Sequence, residues 1–226
     1  SFKNICKALM KLGTDISNIK AIFVTHEHSD HVKGLEVLCK HKPLPVYINS
    51  DSLDGMNILK ESAIYKCAQI ANASSCISLG EMDVDVFNTP HDSHGSVGYR
   101  FNFYDGTSFG YATDIGHITD NVRKGLLGCN SVIFESNHDV GMLKRSPYPY
   151  SLKKRILSEN GHLSNDACSA FLPELVDSGV RKIVLAHLSE ENNTPELCYK
   201  TAALSLTNAG FTPDDVKLTV AMCSIL

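Results

Sequence analysis

The apolar residues of this chain follow two rhythms. Met82-Asp83-Val84-Asp85-Val86 alternates apolar with acidic positions, the pattern of a strand buried on one face. Ile183-Val184-Leu185-Ala186 is continuous instead, as in a strand covered on both faces. Runs of these two kinds predict strands over residues 21–25, 46–48, 82–87, 98–103, 108–113, 131–134, 182–186 and 216–221. Apolar positions spaced three and four apart predict helices over 2–12, 31–40, 51–71, 119–127, 165–178 and 194–208. Several boundaries carry their own chemistry. Asp105-Gly106 reads as a hairpin turn between two strands, and Asn165 with Asp166 suits a helix start. Thr194-Pro195 offers an N-cap followed by a proline in the first turn, and Gly210 stands where the last helix should end. This mixture gives an α/β or α+β class. No linker, repeat or low-complexity stretch divides the 226 residues, which read as one domain, 1–226, able to bury a sizeable core.

The densest chemistry follows the first predicted strand. Thr25-His26-Glu27-His28-Ser29-Asp30-His31 comes directly after Ala21-Ile22-Phe23-Val24. His26, His28, Asp30 and His31 form a ligand set for a borderline ion such as zinc or manganese. In an extended loop, residues two apart point the same way, so His26 and His28 can converge on one ion. Asp30 and His31, turned by the start of a helix, would face a neighbouring ion.

This HxHxDH pattern at a strand-to-helix junction resembles that of the metallo-β-lactamase superfamily. The resemblance implies an αββα sandwich and three further ligands, each at a strand end. His91 after 82–87, Asp114 after 108–113 and His187 after 182–186 stand in the required order. The implied assignment gives His26, His28 and His91 to one ion, and Asp30, His31 and His187 to the other, with Asp114 bridging. Glu135-Ser136-Asn137-His138-Asp139, Gly161-His162-Leu163-Ser164-Asn165 and the string Glu191-Asn192-Asn193 narrow the likeness. With them the chain resembles the bacterial WalJ-like (YycJ-like) metallohydrolases, from about Ile22 to Val220. That group implies phosphodiester chemistry, foremost a DNA exonuclease. More distantly the chain is similar to tRNase Z and to the cyclic phosphodiesterases of phosphonate metabolism. By that likeness His162, held by Glu135, would give a proton to the leaving oxygen, and Asp30 would act in catalysis as well as ligation. Asn137, His138, Asn192 and Asn193 are expected at the substrate. Relatives usually open with a hairpin. Here the chain opens in what reads as a helix, so those strands are expected to be missing. His94 and His117 are extra imidazoles near the expected site, and His94 could compete with His91.

Two divalent ions, zinc or manganese, would share a water, lower its pKa and supply a bridging hydroxide for attack on phosphorus. No GxSxG elbow offers a serine alternative. A net charge of −4 opposes a nucleic-acid partner at first sight, but two divalent ions invert the local sum. One stretch without acids, 144–155, carries five cations and two tyrosines, so Lys153, Lys154 and Arg155 are candidates for the DNA backbone. The eight cysteines (Cys6, Cys39, Cys67, Cys76, Cys129, Cys168, Cys198 and Cys223) are scattered without a CxxC pair, as reduced thiols of a cytoplasmic protein are. No apolar run reaches the length of a membrane span and no signal peptide precedes the first helix. Oligomeric state is not legible. A small-molecule phosphodiesterase, or another hydrolase of this fold, stays open beside the nuclease. A metal-binding scaffold would have no reason to keep an open two-metal centre.

Overall fold

The computed structural model describes residues 1–221, so Cys223 lies outside the described residues. The chain forms two compact units, Ser1–Ala73 with Ser93–Val97, and Ser74–Asp92 with residues 98–221.

In the first unit, β1 (Ile22–Phe23), β2 (Val46–Ile48) and β3 (Ala68–Ile70) form a three-stranded parallel sheet in that order. Its helices are α1 (Phe2–Lys11), α2 (Ser29–Val32), α3 (Leu35–His41), α4 (Ser50–Gly55) and α5 (Ala63–Cys67). Val46 and Ile48 are fully buried among Val24, Leu35, Leu53 and Ile64, each worth about 2 kcal/mol of transfer free energy. The single helix expected over 51–71 is instead α4, α5 and β3. Asn57 takes a left-handed conformation (φ 50°) just past α4, which no helix continues through. The Ser62 hydroxyl then caps α5 by accepting from Tyr65 N, and Ala68–Ile70 peels off to pair with β2. Leu53 and Ile64 both face the core, so the apolar spacing was real while its continuity was not. The helix expected over 31–40 likewise breaks at Gly34. A Cβ there would lie 3.1 Å from Phe2 N, where the start of α1 crosses.

In the second unit, seven strands lie in the order β10-β9-β8-β7-β6-β5-β4. They are β4 (Cys76–Leu79), β5 (Met82–Asn88), β6 (Val97–Phe103), β7 (Ser108–Ala112), β8 (Ser131–Glu135), β9 (Lys182–Ala186) and β10 (Lys217–Val220). β7 to β10 run parallel, whereas β6–β7 is a hairpin turning at Asp105-Gly106, where Gly106 has φ 88°. The helices are α6 (Asp120–Leu126), α7 (Val140–Arg145), α8 (Tyr150–Ile156), α9 (Asn165–Asp177) and α10 (Pro195–Asn208). Ser164 caps α9 and Thr194 caps α10, with Pro195 at its start and Gly210 (φ 90°) just past its end. Phe134, Leu172, Leu175, Ile183 and Leu185 are fully buried between sheet and helices. The sequence pattern misses β4, α7 and α8. α8 fully buries no residue, and its apolar stripe is only the half-buried pair Leu152 and Ile156, too short to betray it.

Register decides what meets at one end of this sheet. Ala112 pairs with Phe134, Phe134 with Leu185, and Glu135 with Ala186. The carboxyl ends of three neighbouring parallel strands therefore deliver Asp114, Glu135 and His187 side by side, the usual place for a site in such sheets.

Candidate metal centre

In the first unit, β1 feeds a loop whose His26 is fully buried. The His26 ring lies 4.6 Å from His28 and 4.1 Å from His31, centroid to centroid. Thr25 Oγ1 sits 3.1 Å from His26 Nδ1 and 3.4 Å from His31 Nδ1, so one hydroxyl orients both rings through the same nitrogen. Asp30 Oδ2 is 3.4 Å from His31 Nε2 and its side chain is largely exposed. Glu27, between two histidines of the motif, does something else. It accepts from Ser52 Oγ (2.9 Å) and from the backbone N–H of His94 (2.9 Å), and its carboxylate lies 2.8 Å from His94 Nδ1. His94 is thus a clasp on Glu27 within the first unit, and its expected competition with His91 finds no support there.

In the second unit, Asp114 is buried, and its Oδ1 lies 3.8 Å from His91 Nε2, 3.6 Å from His187 Nε2 and 3.7 Å from His162 Nδ1. Asp114 and His187 both hold left-handed backbone conformations (φ 58° and 60°), a strain that clusters at functional sites. His91 Nδ1 faces the Gly161 carbonyl at 3.2 Å, which turns Nε2 toward Asp114. Burial lowers the His91 pKa against the opposing pull of Asp114, favouring the neutral ring that a ligand needs.

Glu135 is fully buried and accepts four hydrogen bonds. His162 Nδ1 and His187 Nδ1 donate to Oε1 at 2.9 and 2.8 Å, while Ile115 N and Leu163 N donate to Oε2 at 2.7 and 3.2 Å. Burial alone would raise its pKa, but the His162 and His187 hydrogen bonds outweigh it and hold the carboxyl at about 2. His162 titrates above its ordinary value: burial pulls it down and Glu135 more than compensates.

These contacts test whether divalent ions fit. Metal-binding imidazoles characteristically fix their second nitrogen on a carboxylate, carbonyl or hydroxyl. His26 and His31 have Thr25, His91 has Gly161, and His187 has Glu135, each through Nδ1. Imidazole and carboxylate donors suit zinc or manganese, so the residues fit.

Most of the residues expected at the substrate carry structural hydrogen bonds. Asn137, His138, Asn192 and Asn193 are all buried. Asn137 Nδ2 donates to the His187 carbonyl (2.8 Å), and Asn193 Nδ2 donates to the Ser136 and Asn137 carbonyls and to Asn165 Oδ1. This network sets the loop that carries His187. Burial drives the His138 pKa down to about 4, and its backbone carbonyl takes the Asn165 N–H. Lys153 Nζ donates to the Lys144 and Ser146 carbonyls (2.8 and 2.7 Å), tying α8 to the end of α7. Arg155 pairs with Asp92, while Lys154 is exposed. His117 Nδ1 faces the Glu159 carbonyl at 2.9 Å. Sequence reasoning overlooked Thr25, Glu27 and Asp92. Their one signal is adjacency to ligands, which also describes many idle neighbours.

Replacing Glu135 by Gln puts one acceptor and one amide NH2 among four donors, so one pair of bonds must fail in either orientation. We expect metal affinity to fall about 10- to 100-fold. The metal-free protein should lose roughly 2 kcal/mol or more at neutral pH. The native carboxyl titrates at about 2, below its ordinary 4.5, so its contribution is present above pH 4.5 and disappears toward pH 2. The stability gap between wild type and variant should therefore close over that interval. Chelator competition and denaturant unfolding measure both effects, and wild-type affinity in the variant would refute the assignment.

A family model described as the beta-lactamase superfamily domain matches residues 6–188. The chain belongs to this superfamily, has the metallo-β-lactamase fold, and is a metal-dependent hydrolase. It is 35% identical over 197 residues to Exodeoxyribonuclease YycJ of Bacillus anthracis, covering 87% of this chain and 74% of that protein. To Exodeoxyribonuclease WalJ of Streptococcus pneumoniae it is 33% identical over 211 residues, covering 92% and 78%. Among solved structures, the metallo-β-lactamase fold protein YhfI of Bacillus subtilis superimposes with a TM-score of 0.65 at 16% identity, over 90% of this chain and 75% of that one.

Proposed function

We propose that the chain is a two-metal exodeoxyribonuclease. The observation that carries this reading is the Asp114 carboxylate, whose Oδ1 stands 3.8 Å from His91 Nε2 and 3.6 Å from His187 Nε2. These are the imidazoles that the superfamily pattern gives to different ions, and a carboxylate oxygen within 4 Å of both supports a bridging role. His26, His28 and His91 would hold one ion and Asp30, His31 and His187 the other, each zinc or manganese. When bound, the ions supply a water acidified toward neutrality and positive charge for the phosphate. The chain supplies the rest. Glu135 fixes His162 through Nδ1, so Nε2 is the nitrogen left to hand a proton to the departing sugar oxygen. The names of the relatives, exodeoxyribonucleases at 33–35% identity, support DNA as the substrate. Among the described residues no helix is long and apolar enough to cross a membrane, and seven cysteines are free thiols. Both are compatible with the cytoplasm, where we place the enzyme.

The test is incubation of zinc- or manganese-loaded protein with end-labelled single-stranded DNA, duplex DNA, RNA and a cyclic nucleotide. Stepwise loss of terminal nucleotides from DNA is the expected result. Turnover of the cyclic nucleotide with no action on DNA would replace the nuclease by a small-molecule phosphodiesterase.

A further inference from the structure

α8 is an unusual helix. None of its residues is buried, yet it is fastened along its length within the second unit. Lys153 ties it to the end of α7, and Arg155 pairs with Asp92, the neighbour of His91. The chain that follows is held as well. The Glu159 carbonyl meets His117 Nδ1 at 2.9 Å, and the Gly161 carbonyl meets His91 Nδ1 at 3.2 Å. His162 comes next in sequence. A helix that half-buries only Leu152, Lys153 and Ile156 and is still clamped to the neighbour of a metal-ligand candidate is held more firmly than its packing alone requires.

Its outer face points to a use for that hold. Tyr150, Lys154 and Leu157 recur at i, i+4 and i+7, on one side of the helix. Tyr150 is 81% exposed and Leu157 45%. No acidic residue occurs between Asp139 and Glu159, whereas Lys144, Arg145, Lys153, Lys154 and Arg155 do. Lys153 and Arg155 are engaged by the Lys144 and Ser146 carbonyls and by Asp92. That leaves Lys154 beside the exposed Tyr150 ring on a segment without acids, a combination suited to single-stranded nucleic acid: the charge follows the backbone and the ring takes a base. We propose that the Tyr150–Lys154 face of α8 seats the single-stranded DNA adjoining the scissile end, with Tyr150 stacking on an unpaired base. The inference rests on the nuclease reading above. It names the form of DNA preferred and the residue that selects it.

Metal-loaded wild type, Tyr150→Ala and Tyr150→Phe are compared on single-stranded DNA, with KM and kcat measured separately. A stacking contact predicts a rise in KM of at least about fivefold for the alanine variant, since one base on an aromatic ring is worth about 1–3 kcal/mol. kcat at saturation should move less than about twofold, and the phenylalanine variant should keep the wild-type KM, because stacking needs the ring and not the hydroxyl. Lys154→Ala should weaken binding of every sequence and reduce the salt dependence. An unchanged KM in Tyr150→Ala, or equal losses in alanine and phenylalanine variants, overturns the proposal. If wild type degrades no DNA at all, it is the nuclease reading that falls. Anisotropy titration of a labelled thymidine oligonucleotide then still decides whether this face binds single strands.

Discussion

Asp114→Asn should abolish most DNA cleavage, by about a thousandfold or more, and take the chain from two bound ions to one or none. The magnitude follows from role. A thousandfold is about 4 kcal/mol of transition-state stabilisation, the range expected when a metal centre loses its geometry. Asparagine is the informative replacement. Asp114 holds a left-handed backbone conformation (φ 58°), which Asn tolerates and Ala does not, so the turn after β7 survives the change. What disappears is the negative charge that lies 3.8 Å from His91 Nε2 and 3.6 Å from His187 Nε2. Elemental analysis of metal-supplemented protein reads the stoichiometry and end-labelled DNA reads the activity. Two ions retained with full activity would mean that Asp114 bridges nothing.

The candidate positions His91, Asp114 and His187 were legible because each follows the end of a strand, and strand ends can be read from apolar runs. Their convergence was not, since it depends on register. Glu135 and His187 are 52 positions apart, and they meet because β8 and β9 pair Glu135 with Ala186. The Glu135–His162 pair was expected; the second bond to His187 was invisible, and it changes what the residue does. A Glu135 that held His162 alone would make its variant a weaker form of a His162 variant. With His187 on the same oxygen it becomes a metal-site variant as well. The asparagines teach the opposite lesson. A distinctive string such as Glu191-Asn192-Asn193 invites a substrate role, yet buried amides that satisfy loop backbone are equally distinctive. α8 is not legible in the pattern because helices are found by the face they bury, and α8 half-buries only Leu152, Lys153 and Ile156. The false helix over 51–71 failed for a related reason, as apolar spacing carries no mark for a residue such as Asn57 that leaves helical space.

His162→Ala should slow DNA cleavage by about a hundredfold to ten-thousandfold and leave an activated nitrophenyl phosphodiester much less affected. A sugar oxygen leaves poorly without a proton, whereas a nitrophenolate departs unaided, so a proton donor counts only for the first. The structure gives the donor its means. The His162 ring is held by Glu135 through Nδ1 at 2.9 Å, and Glu135 raises its pKa, so the imidazole keeps its proton to higher pH than an ordinary histidine. Wild-type cleavage of DNA should therefore decline on the alkaline side as His162 deprotonates, and the alanine variant should lack that limb. The nitrophenyl ester should show no such limb with either protein. Metal content separates this role from ligation: His187 keeps its own bond to Glu135, at 2.8 Å, when His162 is gone, so ion binding should persist. Equal slowing of both substrates at full metal load would make His162 a residue that positions the phosphate, and the proton would have to come from elsewhere.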